Sequence, residues 1–419
     1  MVKLGIFADT HVGRSIPRAI GDLRKEAFRH AFTQAINIFI EEKVDYVIHA
    51  GDVFERRSMS PEDTVFVKNE LQRLVDNLGD IKIYVLRGNH DGTLENNVLN
   101  YVEHPLAKYL KVVGEKTLRG EAELYEESGF VLTGIGYTPY ITRKLLEEKD
   151  NLKNLLGKAD TKHKIFLLHA FIRNHHELPP GIPEHQKIGL DVLMEIGASL
   201  IVCGHHHQTK FQKLENTLIL TPGGTEYIDL ADKGPHGCYI AELSPILNLT
   251  FKSISPLHKI ENIRVNSEET IKPKDWFIKQ TLKEVQEFSR KLKRENEKGI
   301  LRLVVEGIID GSRYELQAEL ENSFKKAREE NPLLLHVELD NRVEPLKKPI
   351  QITKTTTREE FLREVFKPLG DEHLPEVLSL IDEVDSLLDE RASEKTHLLK
   401  DGDRREFVKR WLKILGAEK

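Results

Sequence analysis

The stretch Tyr46-Val47-Ile48-His49-Ala50-Gly51-Asp52-Val53-Phe54 joins a β-branched, apolar run to a glycine and an acid. The run has the pattern of a buried strand, and Gly51 frees the backbone for a sharp exit. Asp52 is then expected at the strand's carboxyl end, where ligands gather in open α/β sheets. Taken alone, a Gly-Asp pair after a strand is commonest as a turn or a helix N-cap. Its meaning therefore depends on what the neighbouring strands carry to the same end.

Working outward, short apolar runs alternate with amphipathic segments, the pattern of a layered α/β domain. Residues 3–8 read as a strand with Asp9-Thr10-His11 in the loop leaving it. Phe28, Phe32, Ala35, Ile36, Phe39 and Ile40 recur at helical spacing, and Ser60-Pro61 has the form of an N-cap and first helical residue. A third strand over 81–86 runs into Arg87-Gly88-Asn89-His90-Asp91. Further strands are expected at 130–136, at 164–168 ending on His169, and at 200–203 before Gly204-His205-His206-His207. The runs at 217–220, 238–243 and 247–254 suggest the second sheet of a two-sheet core.

A chain of 419 residues exceeds one typical core, so two or three domains are expected. With 39% hydrophobic and 31% charged residues, and no apolar run near the roughly 18 residues that a spanning helix needs, no membrane association is expected. A functional-looking acid at Asp9 leaves no room for a cleavable signal, which points to the cytoplasm. Cys203 and Cys238 lie in apolar runs and are expected as buried thiols. A net charge of -6 argues against DNA binding by overall field and leaves room for a local basic groove.

The apolar alternation gives way to a polar boundary over 265–273, after which helix, strand, helix and strand follow in a small α+β arrangement. From Arg358 onward the chain reads as helical, with stripes at Phe361, Leu362, Val365 and Phe366, at Val377, Leu378, Ile381 and Val384, and at Phe407, Val408, Trp411, Leu412 and Leu415. Such stripes need a covering surface, from this chain or from a partner.

Five strand ends thus offer ligands: Asp9 and His11, Asp52, Asn89 and His90, His169, and His205 with His207. Imidazole and carboxylate suit manganese, iron or zinc, and the absence of thiolates argues against a structural zinc site. Any one of these histidines is as readily a hydrogen-bonded core or surface residue, but five such clusters at strand ends are hard to attribute to chance. His49 is expected as a buried core histidine, His206 as pointing away from its neighbours, and His175, His176 and His185 as exposed loop residues.

The series Asp9-x-His11, Gly51-Asp52, Gly88-Asn89-His90-Asp91, His169 and Gly204-His205-x-His207 resembles the signature of calcineurin-like metallophosphoesterases. Within them, residues 8–13, Ala50-Gly51-Asp52-Val53-Phe54 and Pro222-Gly223-Gly224 resemble the DNA-repair nucleases of the Mre-eleven and SbcD family. The resemblance implies an α/β fold: a two-sheet sandwich flanked by helices over 1–265, a small α+β capping domain over 266–350, and a helical C-terminal tail over 351–419. It also implies two divalent ions, manganese in the first place. Asp9, His11, Asp52 and His207 would hold one, and Asp52, Asn89, His169 and His205 the other. His90 would stabilise the transition state or protonate the leaving oxygen, with Asp91 to orient its ring or to serve as a solvated turn residue.

The implied activity is that of a DNA exonuclease and endonuclease processing broken ends as a homodimer, its tail bound to an SMC-like ATPase of the Rad-fifty or SbcC type. A small-molecule or cyclic-nucleotide phosphodiesterase on the same core is the alternative, and a non-catalytic DNA-end-binding scaffold a weaker one. The Gly-Asp-x-Val-Asp-Arg-Gly and Gly-Asn-His-Glu motifs of phosphoprotein phosphatases are not matched. Arg14, Arg18, Arg24, Arg56 and Arg57 lie near the motifs and would serve either DNA phosphates or salt bridges. One departure stands out: Glu55 occupies a position where strongly exonucleolytic members often carry histidine. It would repel a phosphate unless it turns outward or pairs with Arg56 or Arg57.

Overall fold

A computed structural model describes residues 2–161, 163–178, 181–346, 357–366, 373–391 and 401–414. The chain divides into two units, one of residues 1–260 with 297–300 and one of 261–296 with 301–419. In the first unit the strands are β1 (Val2–Phe7), β2 (Tyr46–His49), β3 (Lys82–Leu86), β4 (Leu110–Val113), β5 (Tyr125–Glu127), β6 (Phe130–Ile135), β7 (His163–His169), β8 (Phe171–Ile172), β9 (Lys187–Ile188), β10 (Leu200–Gly204), β11 (Lys210–Leu214), β12 (Thr217–Thr221), β13 (Gly237–Leu243) and β14 (Leu247–Ser253). Its helices are α1 (Gly21–Glu41), α2 (Pro61–Leu78), α3 (Leu99–Glu103), α4 (Glu115–Leu118), α5 (Ile141–Gly157) and α6 (Leu190–Glu195).

Two six-stranded sheets result, in the orders β14-β13-β1-β2-β3-β4 and β11-β12-β10-β7-β6-β5. Both have a parallel centre, β1 to β4 in one and β6, β7, β10 and β12 in the other. Antiparallel strands cap the edges: β13 pairs with β1, β11 with β12 and β5 with β6. The runs over 238–243 and 247–254 therefore join the first sheet, and only the one at 217–220 joins the second. A parallel β1 leaves one edge open, and the β13–β14 hairpin covers it.

Period-two alternation sorts the strand side chains into layers. Leu4, Ile6, Ile48, Tyr84 and Leu86 meet Leu132, Ile165, Leu167 and Val202 between the sheets. Phe7, Val47, Ile83 and Val85 face outward onto Phe32, Ile36, Phe39, Leu71 and Leu74 of α1 and α2. On the far side Phe166, Leu168, Ile201 and Cys203 pack against Leu145, Leu152 and Leu193 of α5 and α6. Each fully buried side chain of this kind contributes about 1.5–3 kcal/mol. Ser60 caps α2, its Oγ accepting from Asp63 N at 3.2 Å, with Pro61 as the first helical residue. Cys203 and Cys238 are free and buried, as their apolar surroundings predict.

The second unit holds a sheet of order β15-β16-β17, from β15 (Lys259–Pro273), β16 (Gly299–Asp310) and β17 (Leu334–Pro345). Helices α7 (Lys274–Glu295) and α8 (Arg313–Glu330) bury Phe277, Val285, Phe288, Leu316 and Leu320 against Leu301, Leu303 and Val305. The polar stretch at 265–273 is thus the end of a strand, with only Val265 and Ser267 buried along it. Helices α9 (Arg358–Phe366), α10 (Leu374–Arg391) and α11 (Asp401–Ile414) follow. Phe366, Ile381, Phe407 and Trp411 pack around Val377 and Leu380, so part of the tail's stripe is covered from within. Val408 and Leu412 stay exposed, and Leu415 lies outside the described residues. No helix among the described residues is long and apolar enough to cross a membrane.

Candidate metal centre

The carboxyl ends of β1, β2 and β3 meet those of β7 and β10, and the loops leaving them carry the acids and histidines into one pocket. Their ligand atoms fall into three groups, each lying within 4.8 Å: Asp9, His11 and His207; His11, Asp52 and His90; and Asp52, His169 and His205. Asp52 belongs to two of them. Asn89 joins through Oδ1, 3.1 Å from His169 Nε2. All seven expected ligand residues are therefore together, and His90 lies with them.

The backbone bends sharply to achieve this. Asp9, His11, Asp52 and His205 have φ values of 50°, 39°, 55° and 85°, in the left-handed region. A non-glycine residue held there costs on the order of 1–3 kcal/mol. Hydrogen bonds between the loops hold the conformation: Asp9 N donates to Gly51 O at 2.9 Å, His11 N to Asp52 O at 3.1 Å, and His205 N to Asp9 Oδ1 at 3.0 Å. Gly51 has φ of 101°, and a Cβ there would lie 2.3 Å from His169 Nδ1, so the turn admits no side chain.

Asp52 sits at the centre. Its Oδ1 accepts from His90 N at 2.8 Å, and its Oδ2 lies 3.2 Å from His169 Nε2 and 3.7 Å from His11 Nε2. Burial opposes its ionisation, yet the charge and hydrogen bond of His169, helped by His11 and His90, hold it well below the usual carboxylate range. His169 moves the other way. Burial disfavours its charged form, but Asp52 raises it to about 9, the imidazolium proton standing where a cation would serve. Asp9 is pushed up to about 6 by burial and by Asp52.

These residues fit divalent cations. His169 donates from Nδ1 to Ala50 O at 2.9 Å, which turns Nε2 into the pocket toward Asp52 Oδ2 and Asn89 Oδ1. His11 Nδ1 faces Glu55 Oε2 at 3.1 Å, and its Nε2 is buried without a hydrogen-bond partner. A buried imidazole nitrogen without a partner, 3.7 Å from a carboxylate oxygen, is a donor of the kind a divalent cation takes. The set of imidazole, carboxylate and amide oxygen donors suits ions of intermediate hardness.

Residues 2–209 match the calcineurin-like phosphoesterase family. The chain carries a calcineurin-like metallophosphoesterase domain. Among curated relatives, the DNA double-strand break repair protein Mre11 of Thermoplasma acidophilum is 27% identical over 272 residues, covering 61% of this chain and 67% of that protein. The Mre11 of Saccharolobus solfataricus is 25% identical over 314 residues, covering 73% and 76%. The uncharacterized metallophosphoesterase YhaO of Bacillus subtilis is 23% identical over 229 residues, covering 55% and 53%. The share of the Mre11 relatives' own length that is matched reaches as low as 22%, in Methanosarcina acetivorans.

Within the metallophosphoesterase domain, several expectations change. Asp91 does not touch the His90 ring. It is buried and accepts from the backbone N–H groups of Gly88, Asp52 and Phe54 at 2.9, 3.0 and 3.0 Å, tying the β2 and β3 loops together. His90 Nδ1 is held instead by the carbonyl of Glu55 at 2.7 Å. His175 and His176 are buried rather than exposed, and both share the Thr221 hydroxyl, at 3.2 and 2.8 Å. His206 stacks on His176 with centroids 4.4 Å apart, outside the ligand groups, and His185 is exposed. His49 is buried, accepting from Gly51 N at 3.2 Å and lying 3.0 Å from Thr10 Oγ1, as a core histidine should.

The arginines divide. Arg14 pairs with Glu55 at 2.8 Å, and Arg24 is buried against Glu226 at 3.3 Å. Arg18, Arg56 and Arg57 are exposed. Glu55 therefore pairs with Arg14 and His11, and not with Arg56 or Arg57. Sequence reasoning missed Arg87, which is buried against Glu115 and donates to the carbonyls of Gly92 and Tyr137 at 2.9 and 2.7 Å. It also missed Phe171, whose ring lies 4.1 Å from that of His205. Adjacency to Gly88 and His169 was the only signal for either.

Proposed function

We propose that this metallophosphoesterase domain is a two-metal phosphodiesterase that cuts DNA at broken ends. The observation that carries the reading is a cleft of about 820 Å³ that opens onto Asn89 and His90 and is lined by Arg56 and Arg57. Neither arginine makes an ion pair among the described residues, and such free cations suit a phosphate backbone. Tyr137 and Tyr140 line the same cleft and offer aromatic faces to bases. The Mre11 relatives supply the DNA end as the substrate of choice.

In this reading Asp9, His11, Asp52 and His207 hold one ion, and Asp52, Asn89, His169 and His205 the other. When bound, two such cations supply an activated water and neutralise the charge that develops on the phosphodiester. The protein does the rest. His90, its Nδ1–H given to Glu55 O, would act as the imidazolium, handing the Nε2 proton to the departing oxygen. Arg56 and Arg57 hold the flanking phosphates. Asp91 keeps the Asp52 and His90 loops at a fixed separation. By the same likeness the reading extends to Mn2+ as the ion, a homodimer, and an SMC-like ATPase that meets the exposed Val408 and Leu412 of the tail.

The dimensions of the cleft favour one second reading. Sites for small ligands occupy roughly 300–1,000 Å³, so a nucleotide-sized diester is the alternative substrate. Purified protein with Mn2+ should be assayed on end-labelled single- and double-stranded DNA, beside bis-p-nitrophenyl phosphate and a phosphomonoester. Cleavage of DNA and of the small diester is expected. Turnover of the small diester with DNA left intact would overturn the nuclease reading.

A further inference from the structure

Glu55 stands against the pocket wall with every polar atom engaged. Its N donates to Val12 O at 3.1 Å, one residue from His11, which pins the main chain beside that histidine. Carboxylate Oε2 lies 3.1 Å from His11 Nδ1, and Oε1 accepts from Arg14 Nη1 at 2.8 Å. Arg14 is itself anchored, its Nε donating to Ile228 O at 2.6 Å. The Glu55 carbonyl takes His90 Nδ1 at 2.7 Å. The two histidine rings so held lie edge to face, their centroids 4.7 Å apart.

A carboxylate on one imidazole nitrogen decides which tautomer the ring adopts and where its other nitrogen points. With Nδ1–H given to Glu55, His11 carries its lone pair on Nε2, the atom that is buried, unpartnered and 3.7 Å from Asp52 Oδ2. With Nδ1–H given to the carbonyl, His90 turns Nε2 to the substrate side, where the doubly protonated ring carries the proton it is to give. One residue thus orients a proposed ligand through its side chain and a proposed acid through its main chain. Glu55 lines the same cleft as Arg56 and Arg57, and its ion pair with Arg14 offsets its charge there.

We infer that Glu55 is the positioning residue of this centre, its carboxylate presenting His11 Nε2 to a divalent cation and its carbonyl presenting His90 Nε2 to the scissile diester. The inference rests on the two-metal reading above and goes beyond it in giving the acid at position 55 a role. It separates the two functions: a side-chain change at 55 disturbs the metal and leaves the anchor of His90 in place.

The test is Mn2+ binding to the full chain, read by the loss of the free-ion paramagnetic resonance signal, for the parent, Glu55→Ala, Glu55→Gln and Glu55→Asp. Removing a carboxylate that orients a metal-bound histidine typically weakens binding about 10–100-fold, and Glu55→Ala is expected to fall in that range. Glu55→Gln keeps an amide oxygen for His11 Nδ1–H and should retain most of the affinity. Glu55→Asp keeps the charge but loses one methylene of reach, and should behave like the alanine variant. Added Mn2+ should recover the lost turnover of bis-p-nitrophenyl phosphate in Glu55→Ala and recover none in His90→Ser. A folded Glu55→Ala, or Glu55→Asp if alanine prevents folding, that binds Mn2+ as tightly as the parent would overturn the inference. A parent that binds no pair of ions would instead overturn the two-metal reading beneath it.

Discussion

Replacing Asp52 with Asn tests the shared carboxylate most directly. The substitution conserves shape and leaves an amide oxygen to accept from His90 N, now at 2.8 Å, but removes the charge that faces His169 at 3.2 Å and His11 at 3.7 Å. A unit charge pair about 4 Å apart is worth about 4 kcal/mol at an effective dielectric of about 20. A divalent ion in the same space should lose at least that much. At roughly 1.4 kcal/mol per tenfold, each site weakens by about a thousandfold. Thermal unfolding with and without Mn2+, together with metal content per chain, reads this out. In the parent, ion at about 100 times its dissociation constant adds about 2.7 kcal/mol per site. In Asp52→Asn that gain should vanish at the same concentration, and DNA and diester cleavage with it. Retention of both ions and of the full thermal shift would refute the shared-ligand geometry. Loss of one ion with retention of the other would assign Asp52 to a single site.

Other outcomes follow from the same geometry. His90→Ser should lower diester turnover by about 10²–10⁴-fold, the usual contribution of a general acid, with both ions still bound; loss of metal in that variant would make His90 a ligand. Arg56→Ala and Arg57→Ala should each reduce the salt dependence of DNA binding by about one phosphate contact, with a much smaller effect on bis-p-nitrophenyl phosphate; equal effects on both substrates would refute a backbone-binding role. Stability should fall in acid. Burial depresses His49 to about 3, His176 to about 2 and His236 to about 4. The unfolded chain takes up protons first, near pH 6.5, so the contribution of these three histidines is full above that value and is lost as pH falls through it toward their folded values. Each of the three should cost about 2 kcal/mol between pH 7 and pH 5. Urea unfolding of metal-free protein at the two pH values checks this; an unchanged midpoint, or one that His176→Gln leaves equally pH-dependent, would contradict it.

The strands and their ligand-bearing ends were legible because each is a local pattern. Buried runs such as Val47-Ile48 and Leu167-Leu168 declare themselves by apolar character, and Asp9, Asp52, His169 and His205 follow them at once. Strands with little burial were harder to see. Lys210-Phe211-Gln212-Lys213-Leu214 is an edge strand with exposed polar residues, and the polar end of β15 read as a domain boundary for the same reason. His175 and His176 read as exposed because their neighbours are polar, whereas Thr221, some 45 positions away, buries them.

The amino-acid order alone determined which residues could carry the chemistry, since residue type and position after a strand depend only on local covalent sequence. The tertiary structure decided what each of them does. Asp91 became a clasp between two loops, Arg14 a brace, and Glu55 a holder of two histidines 44 and 35 positions away. Hydrogen bonds of this kind depend on distances near 3 Å and on which nitrogen of a ring is free. Those are properties of how β1, β2 and β3 bring their loops together, and no local pattern encodes them.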